Sequence, residues 1–175
     1  DTGALRRAVR YVPQHPRLFN RTLWDNLQYG NPALTPDHVH RTLQRLELRE
    51  LDAVIRARMF RPVGKQGDRL SGGQRQLVNL TRAFLREPKI WLLDEPTASM
   101  DRALEQKIIT ALGEGLTAKQ TLFLVTHKPE LLSLVDRILI FPSAAAIGHV
   151  VGWNINIMAS EHDMNRPQAA VGVLG

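Results

Sequence analysis

Apolar positions along the chain come either as short continuous runs or as stripes of period 3.6, and the switch between the two predicts the elements. Ile90-Trp91-Leu92-Leu93 is a continuous apolar run, as in a strand buried on both faces. Residues 121–126 (TLFLVT) predict a second buried strand, and residues 136–141 (DRILIF) a third. Residues 8–12 (AVRYV) predict a short strand stopped by Pro13. Val39, Leu43 and Leu46 recur at helical spacing, behind Thr35 as N-cap and Pro36 at the first helical position. A further helix is expected from Arg49 to about Arg58, with Leu51, Val54 and Ile55 on one side. Ser71 caps a helix whose apolar side holds Leu77, Leu80, Ala83, Phe84 and Leu85, and Pro88 ends it. Over 101–112, Leu104, Ile108, Ile109 and Leu112 align, with Gly113 and Gly115 closing the helix. Residues 131–135 read as a short helix. Strands alternating with helices predict an α/β fold with a largely parallel sheet. No internal repeat is present. After Pro142 the charges thin out and no period persists, so 142–175 is expected to be a weakly structured tail.

Composition narrows the function classes. The 175 residues suit one domain, or one domain with an appendage. With no Cys there is no disulfide scaffold, thiolate zinc site or Cys nucleophile. No apolar run reaches the roughly 18–20 residues that span a bilayer. The chain starts at Asp1 rather than Met, which reads as a piece of something longer. Charge is uneven: residues 1–86 hold 16 Lys and Arg against 7 Asp and Glu, net +9, whereas 87–175 hold 7 against 10, net −3. A basic, Arg-rich front suits nucleic acid, lipid headgroups or nucleotide phosphates, or simply solvated helix faces.

Four local patterns carry chemistry. Leu70-Ser71-Gly72-Gly73-Gln74 puts a capping residue and two glycines before a helix. Glycines let backbone N–H groups approach a ligand, and the helix end adds unpaired donors. Such a turn alone is usually an ordinary cap. Ile90-Trp91-Leu92-Leu93-Asp94-Glu95-Pro96 ends a buried strand in two carboxylates at the sheet's carboxyl edge, where α/β ligands sit. Asp94 is placed to hold Mg²⁺, and Glu95 to orient or deprotonate an attacking water, for which water must reach it. The alternative is a solvated pair at a strand end. His127 follows another buried strand and could meet a phosphate or a water, or be structural. Gln14, just after the first strand, could touch both a metal-bound water and a partner. Asp101 could cap its helix. His38 and His40 do not face each other, which excludes a metal pair.

Taken in order, these motifs resemble the nucleotide-binding domain of ABC transporter ATPases. LSGGQRQ is similar to the family signature, IWLLDEP to Walker B, SMD to the D-loop, THK to the switch histidine and YVPQHPRLF to the Q-loop. LFNRTLWDNLQYGNP looks like exporters, and THKPELLSLVDRILI with DEPTASMD looks most like type I secretion and peptide exporters. The resemblance covers residues 4–141. It implies a partial P-loop NTPase-like parallel sheet with an α-helical subdomain at about 20–86, residues 1–141 forming the partial ATPase domain and 142–175 a divergent tail.

The resemblance further implies an ATPase using ATP and Mg²⁺, paired head to tail with a second nucleotide-binding domain. Ser71, Gly72, Gly73 and Gln74 would face ATP held by that partner. Gln14, Asp94, Glu95 and His127 would serve the chain's own site, with Gln14 and Asp94 at the metal, and Asp101 would cross the dimer interface. A transmembrane domain outside this chain would place it at the cytoplasmic face of a membrane. No specific nucleic acid is expected.

Three departures stand beside the resemblance. The pattern G-x-x-x-x-G-K-[ST] does not occur, so the chain is expected to begin between P-loop and Q-loop and to be inactive alone. Lys65 stands where exporters usually have Glu in a V-G-E-x-G segment. The stretch after Phe141 is unlike the family's usual ending. Two rivals remain: a DNA-associated ATPase of the same superfamily, and a non-catalytic piece that pairs with an intact partner. Residues 20–70 leave no room for the long heptad coiled coil of the first.

Overall fold

A computed structural model describes residues 2–139, 150–154 and 169–173. The chain divides into two compact units, each assembled from separated stretches. The sheet unit takes residues 1–13, 88–96 and 116–175; the helical unit takes 14–87 and 97–115.

In the sheet unit, α1 (Thr2–Ala8) leads into β1 (Val9–Val12), followed by β2 (Ile90–Asp94) and β3 (Thr121–Thr126). These three strands are parallel and in continuous register, with Val12 opposite Leu93 and Leu93 opposite Leu124. The apolar runs in β2 and β3 therefore stack residue on residue. Val12, Trp91, Leu93, Leu122 and Leu124 are buried on one face. Alternate positions, including Leu92, Phe123 and Asp94, are half-buried on the other. A short 3₁₀ segment, Pro129–Leu134, stands where the sequence predicted a helix, and β4 (Arg137–Leu139) lies within the strand predicted over 136–141, of which 140–141 are outside the described residues.

Two strands lie within the stretch expected to be weakly structured: β5 (Val150–Asn154) and β6 (Ala169–Val173). The remainder of 142–175 lies outside the described residues. The sheet order is β1-β2-β3-β5-β4-β6, with β5 antiparallel to both β3 and β4.

The helical unit holds α2 (Leu23–Gln28), α3 (Pro36–Arg45), α4 (Arg49–Arg58), α5 (Gly72–Phe84) and α6 (Arg102–Gly115). Thr35 caps α3 through the His38 N–H at 3.2 Å, with Pro36 behind it as expected. The short α2 was not anticipated from periodicity. It rests on a reciprocal cap: the Asp25 N–H donates to Thr22 Oγ1 at 3.0 Å, and the Thr22 N–H to Asp25 Oδ2 at 3.1 Å. Buried Asn26 ties the preceding loop to this helix through Phe19. It also receives the Arg82 guanidinium, with Nη2 to Oδ1 at 2.8 Å. Burial lowers the Arg82 pKa to about 10.

Helix α6 runs through Gly113 and ends at Gly115, the second of the two glycines expected to close it. A Cβ at Gly115 would lie 3.2 Å from Leu46 and 3.3 Å from Phe84, so close packing of the helix end explains this glycine.

One buried carboxylate joins α3 to α4. Asp52 accepts from Gln44 Nε2 at 3.3 Å and Arg56 Nε at 3.3 Å, and lies 2.7 Å from His40 Nδ1. Burial alone would raise its pKa, but the bonds from His40, Gln44 and Arg56 carry it below the ordinary value. The contribution of Asp52 to stability is thus present above about pH 3.9, the unfolded value, and is lost as pH falls through the lower folded value. Asp52→Ala is expected to destabilise the chain by about 2 kcal/mol at neutral pH, because three donors lose their acceptor. Chemical denaturation of both proteins, repeated at acid pH where the difference should shrink, measures this.

Candidate functional site

At the carboxyl edge of the sheet, the chain leaves β2 through Asp94 and Glu95. The Glu95 N–H donates to Val125 O at 2.8 Å, which extends the β2–β3 pairing by one step. Glu95 then takes φ of 45°, a left-handed conformation that costs a non-glycine residue about 1–3 kcal/mol. This turn directs its carboxylate to the end of β3. Oε1 accepts from the His127 backbone N–H at 3.0 Å and lies 2.7 Å from His127 Nδ1. Oε2 lies 3.4 Å from the Thr126 hydroxyl.

Glu95 is 1% exposed, so the expected open access to water is not met in this conformation. The His127 side chain beside it is 49% exposed. With Glu95 ionised, Nδ1 must carry the proton in this contact, which leaves Nε2 as the ring's other polar atom. The arrangement is a buried acid joined to a half-exposed histidine, chemically suited to passing or withholding a proton.

Asp94 lies on the half-buried face of the sheet. Its Oδ2 accepts from the Tyr11 hydroxyl at 3.0 Å, and its other oxygen accepts nothing among the described residues. One carboxylate with a free oxygen suits Mg²⁺, which is commonly held by one or two carboxylates together with substrate phosphates. Among the described residues, no cluster of three or more His, Asp or Glu side chains forms a protein cage for a metal.

The second place lies in the helical unit. Ser71 and Gln74 form a reciprocal cap on α5: the Gln74 N–H donates to Ser71 Oγ at 3.2 Å, and the Ser71 N–H to Gln74 Oε1 at 3.0 Å. The ordinary-cap reading describes what these side chains do here. Gly72 and Gly73 follow, packed on the 97–101 turn. A Cβ at Gly73 would stand 2.8 Å from Ser99 O, and one at Gly72 3.2 Å from Ser99 Cβ and Oγ. At Gly73 the chain's own backbone therefore leaves no room for a side chain, and at Gly72 the Ser99 side chain leaves little. Asp101 caps α6, accepting from the Leu104 N–H at 2.9 Å. Gln14 is half-buried in a cleft of about 490 Å³ that Arg17, Lys65, Gly72, Arg75 and Ser99 also line.

Sequence reasoning paired Thr126 with His127 but missed Tyr11 and Ser99. Tyr11 shares a face with Asp94 only because β1 and β2 pair in this register, and Ser99 matters through its packing on Gly72 and Gly73. Neither fact has a signature in residue type.

The ABC transporter family model matches residues 1–98, and the chain belongs to that family. The Beta-(1-->2)glucan export ATP-binding/permease protein NdvA of Rhodopseudomonas palustris is 33% identical over 145 residues, which cover 83% of this chain and 24% of that protein. The Multidrug efflux ATP-binding/permease protein of Mycobacterium bovis is also 33% identical, over 80% of this chain and 12% of its own length. A solved bacterial Atm1-family ABC exporter with ATP bound superposes with a TM-score of 0.69 at 28% identity, over 78% of this chain and 24% of that one. The chain thus spans a quarter or less of these proteins. Among the described residues, no helix is long and apolar enough to cross a membrane.

Two outcomes follow from this geometry. Burial, the bond to Asp94 and the charge of Asp94 together raise the Tyr11 pKa, so Asp94→Asn should bring phenolate formation to lower pH in an ultraviolet titration. Gly73→Ala should cost about 1–3 kcal/mol by forcing Ser99 away, and Gly72→Ala less. Thermal unfolding ranks the two.

Proposed function

We propose that this chain is part of the ATP-binding and ATP-hydrolysing domain of an ABC exporter, the domain that powers transport across a membrane. Membership of the family and the exporter relatives support this reading. The observation that carries its chemical side is the Glu95–His127 contact of 2.7 Å beside Asp94 at the carboxyl edge of the parallel sheet. Residues 1–141 are the ATPase part, with a helical subdomain at about 20–86, and 142–175 a divergent tail.

Each residue then has a role. Asp94, with Gln14, holds Mg²⁺, whose charge offsets that of the phosphates when bound. Glu95 orients or deprotonates the attacking water, and His127 meets the γ-phosphate. For Glu95 to act, His127 must release its carboxylate and admit water, so the present contact is a resting arrangement. Ser71, Gly72, Gly73 and Gln74 offer the N-terminal amides of α5 to ATP held by a second nucleotide-binding domain, and Asp101 crosses to that partner. The Arg-rich helical subdomain docks on the exporter's membrane domain, which keeps the chain at the cytoplasmic face. Catalysis is positioning and charge stabilisation of in-line attack on the γ-phosphorus.

Two measurements test this. In the protein that carries this chain together with its P-loop segment, Glu95→Gln should leave ATP binding intact and cut turnover about a hundredfold or more; unchanged turnover removes Glu95 from the role. The 175-residue chain alone should show weak ATP binding and negligible hydrolysis. Micromolar affinity by calorimetry would refute the division of labour between the two domains.

A further inference from the structure

A second pocket lies in the helical unit, lined by residues outside the proposed nucleotide contacts. Arg58 at the end of α4, Arg61 in the following bend and Arg69 before the signature turn all line a cavity of about 310 Å³. Its floor is apolar: Leu23, Val63 and Leu70 are buried. No acidic residue lines it.

The walls are fixed by backbone bonds. The Leu23 N–H donates to Arg61 O at 3.1 Å, the Val63 N–H to Arg21 O at 2.9 Å, and the Arg69 N–H to Val63 O at 3.1 Å. Among the described residues, none of the three guanidinium groups makes a hydrogen bond or ion pair. Other arginines of this unit are engaged: Arg41 with Asp37, Arg45 with Glu87, Arg56 with Asp52, and Arg82 with Asn26.

Three like charges around one rigid pocket repel one another, and salt screens this only in part. A multivalent oxyanion relieves it. Guanidinium forks match phosphate oxygens in pairs, where a lone ammonium supplies only a point charge. The buried apolar floor suits the carbon side of an ester better than it suits a fully hydrated ion.

The geometry points to a phosphate-binding site formed by Arg58, Arg61 and Arg69, taking a phosphate monoester or diester. It is separate from the turn at 71–74 and does not rest on the ATP reading. Two sources supply such a group: a soluble phosphate or the headgroup of an anionic phospholipid. Phe60, 71% exposed between Met59 and Arg61, gives the lipid source an apolar contact.

The test compares the 175-residue chain with Arg58→Gln, Arg61→Gln and Arg69→Gln, singly and together. Arg102→Gln on α6 serves as the charge control. One arm titrates inorganic phosphate against chloride at matched ionic strength, following the arginine side-chain N–H signals by NMR. The other measures sedimentation with phosphatidylcholine vesicles, with and without phosphatidic acid.

Each single substitution at the pocket should weaken binding about tenfold, and Arg102→Gln should not. Saturable binding in the phosphate arm alone assigns a soluble ligand; binding in the vesicle arm alone assigns the headgroup. No saturable binding in either arm overturns the site. So does equal weakening by Arg102→Gln, or full binding by the triple variant. Melting curves verify that each variant is folded, and the single variants decide if the triple is not. Unchanged turnover of Glu95→Gln in the protein that carries the P-loop segment, with phosphate binding here intact, would leave this site standing while the nucleotide reading fails.

Discussion

The carboxylate of Glu95 is the constraint on which the sheet's functional edge depends. A buried charge with no partner would be far too costly, so three groups from the end of β3 converge on it. Because Glu95 continues the β2–β3 ladder and also bonds the chain just beyond β3, it locks the exits of two adjacent strands together. Asp94 is aimed by the same ladder, one residue earlier and on the opposite face. The alternation of a strand thus separates the two acids: one turns toward Tyr11 on the half-buried face, the other toward His127. Their neighbours in space, rather than their chemistry, distinguish the two carboxylates.

In the helical unit the corresponding constraint is steric. The backbone of the 97–101 turn sits where a side chain at Gly73 would have to be. The turn at 70–74 and the turn at 97–101 are consequently one packed body, capped at one end by Ser71 and Gln74 and at the other by Asp101. A glycine pair that sequence reasoning assigns to ligand approach thus also serves internal fit.

What could be read from sequence follows from what local patterns encode. The strands β2 and β3 were legible because uninterrupted apolar runs have few alternatives, and α3, α4 and α5 because a cap or a period marks them. The short α2 was not, since six residues carry too little periodicity; only the Thr22–Asp25 cap marks it. Of the two glycines expected to close α6, only Gly115 does so, where close packing against Leu46 and Phe84 leaves little room for a side chain. At the candidate site, residue types and order pointed to Asp94, Glu95 and His127. Their contacts were not legible: the burial of Glu95, its positive φ and the bond from Tyr11 depend on strand register and on a turn that pattern does not encode.

The interleaving of the two units has a bearing on how the chain is made. Residues 1–13 belong with 88–96 and 116–175, yet all of 14–87 is synthesised in between. At about 5–20 residues per second, β1 leaves the ribosome seconds before the β2 strand it pairs with. The helices α2 to α5 have local contacts and can form during that interval. The β1–β2 pairing therefore closes only after residues 14–87 of the helical unit have been made.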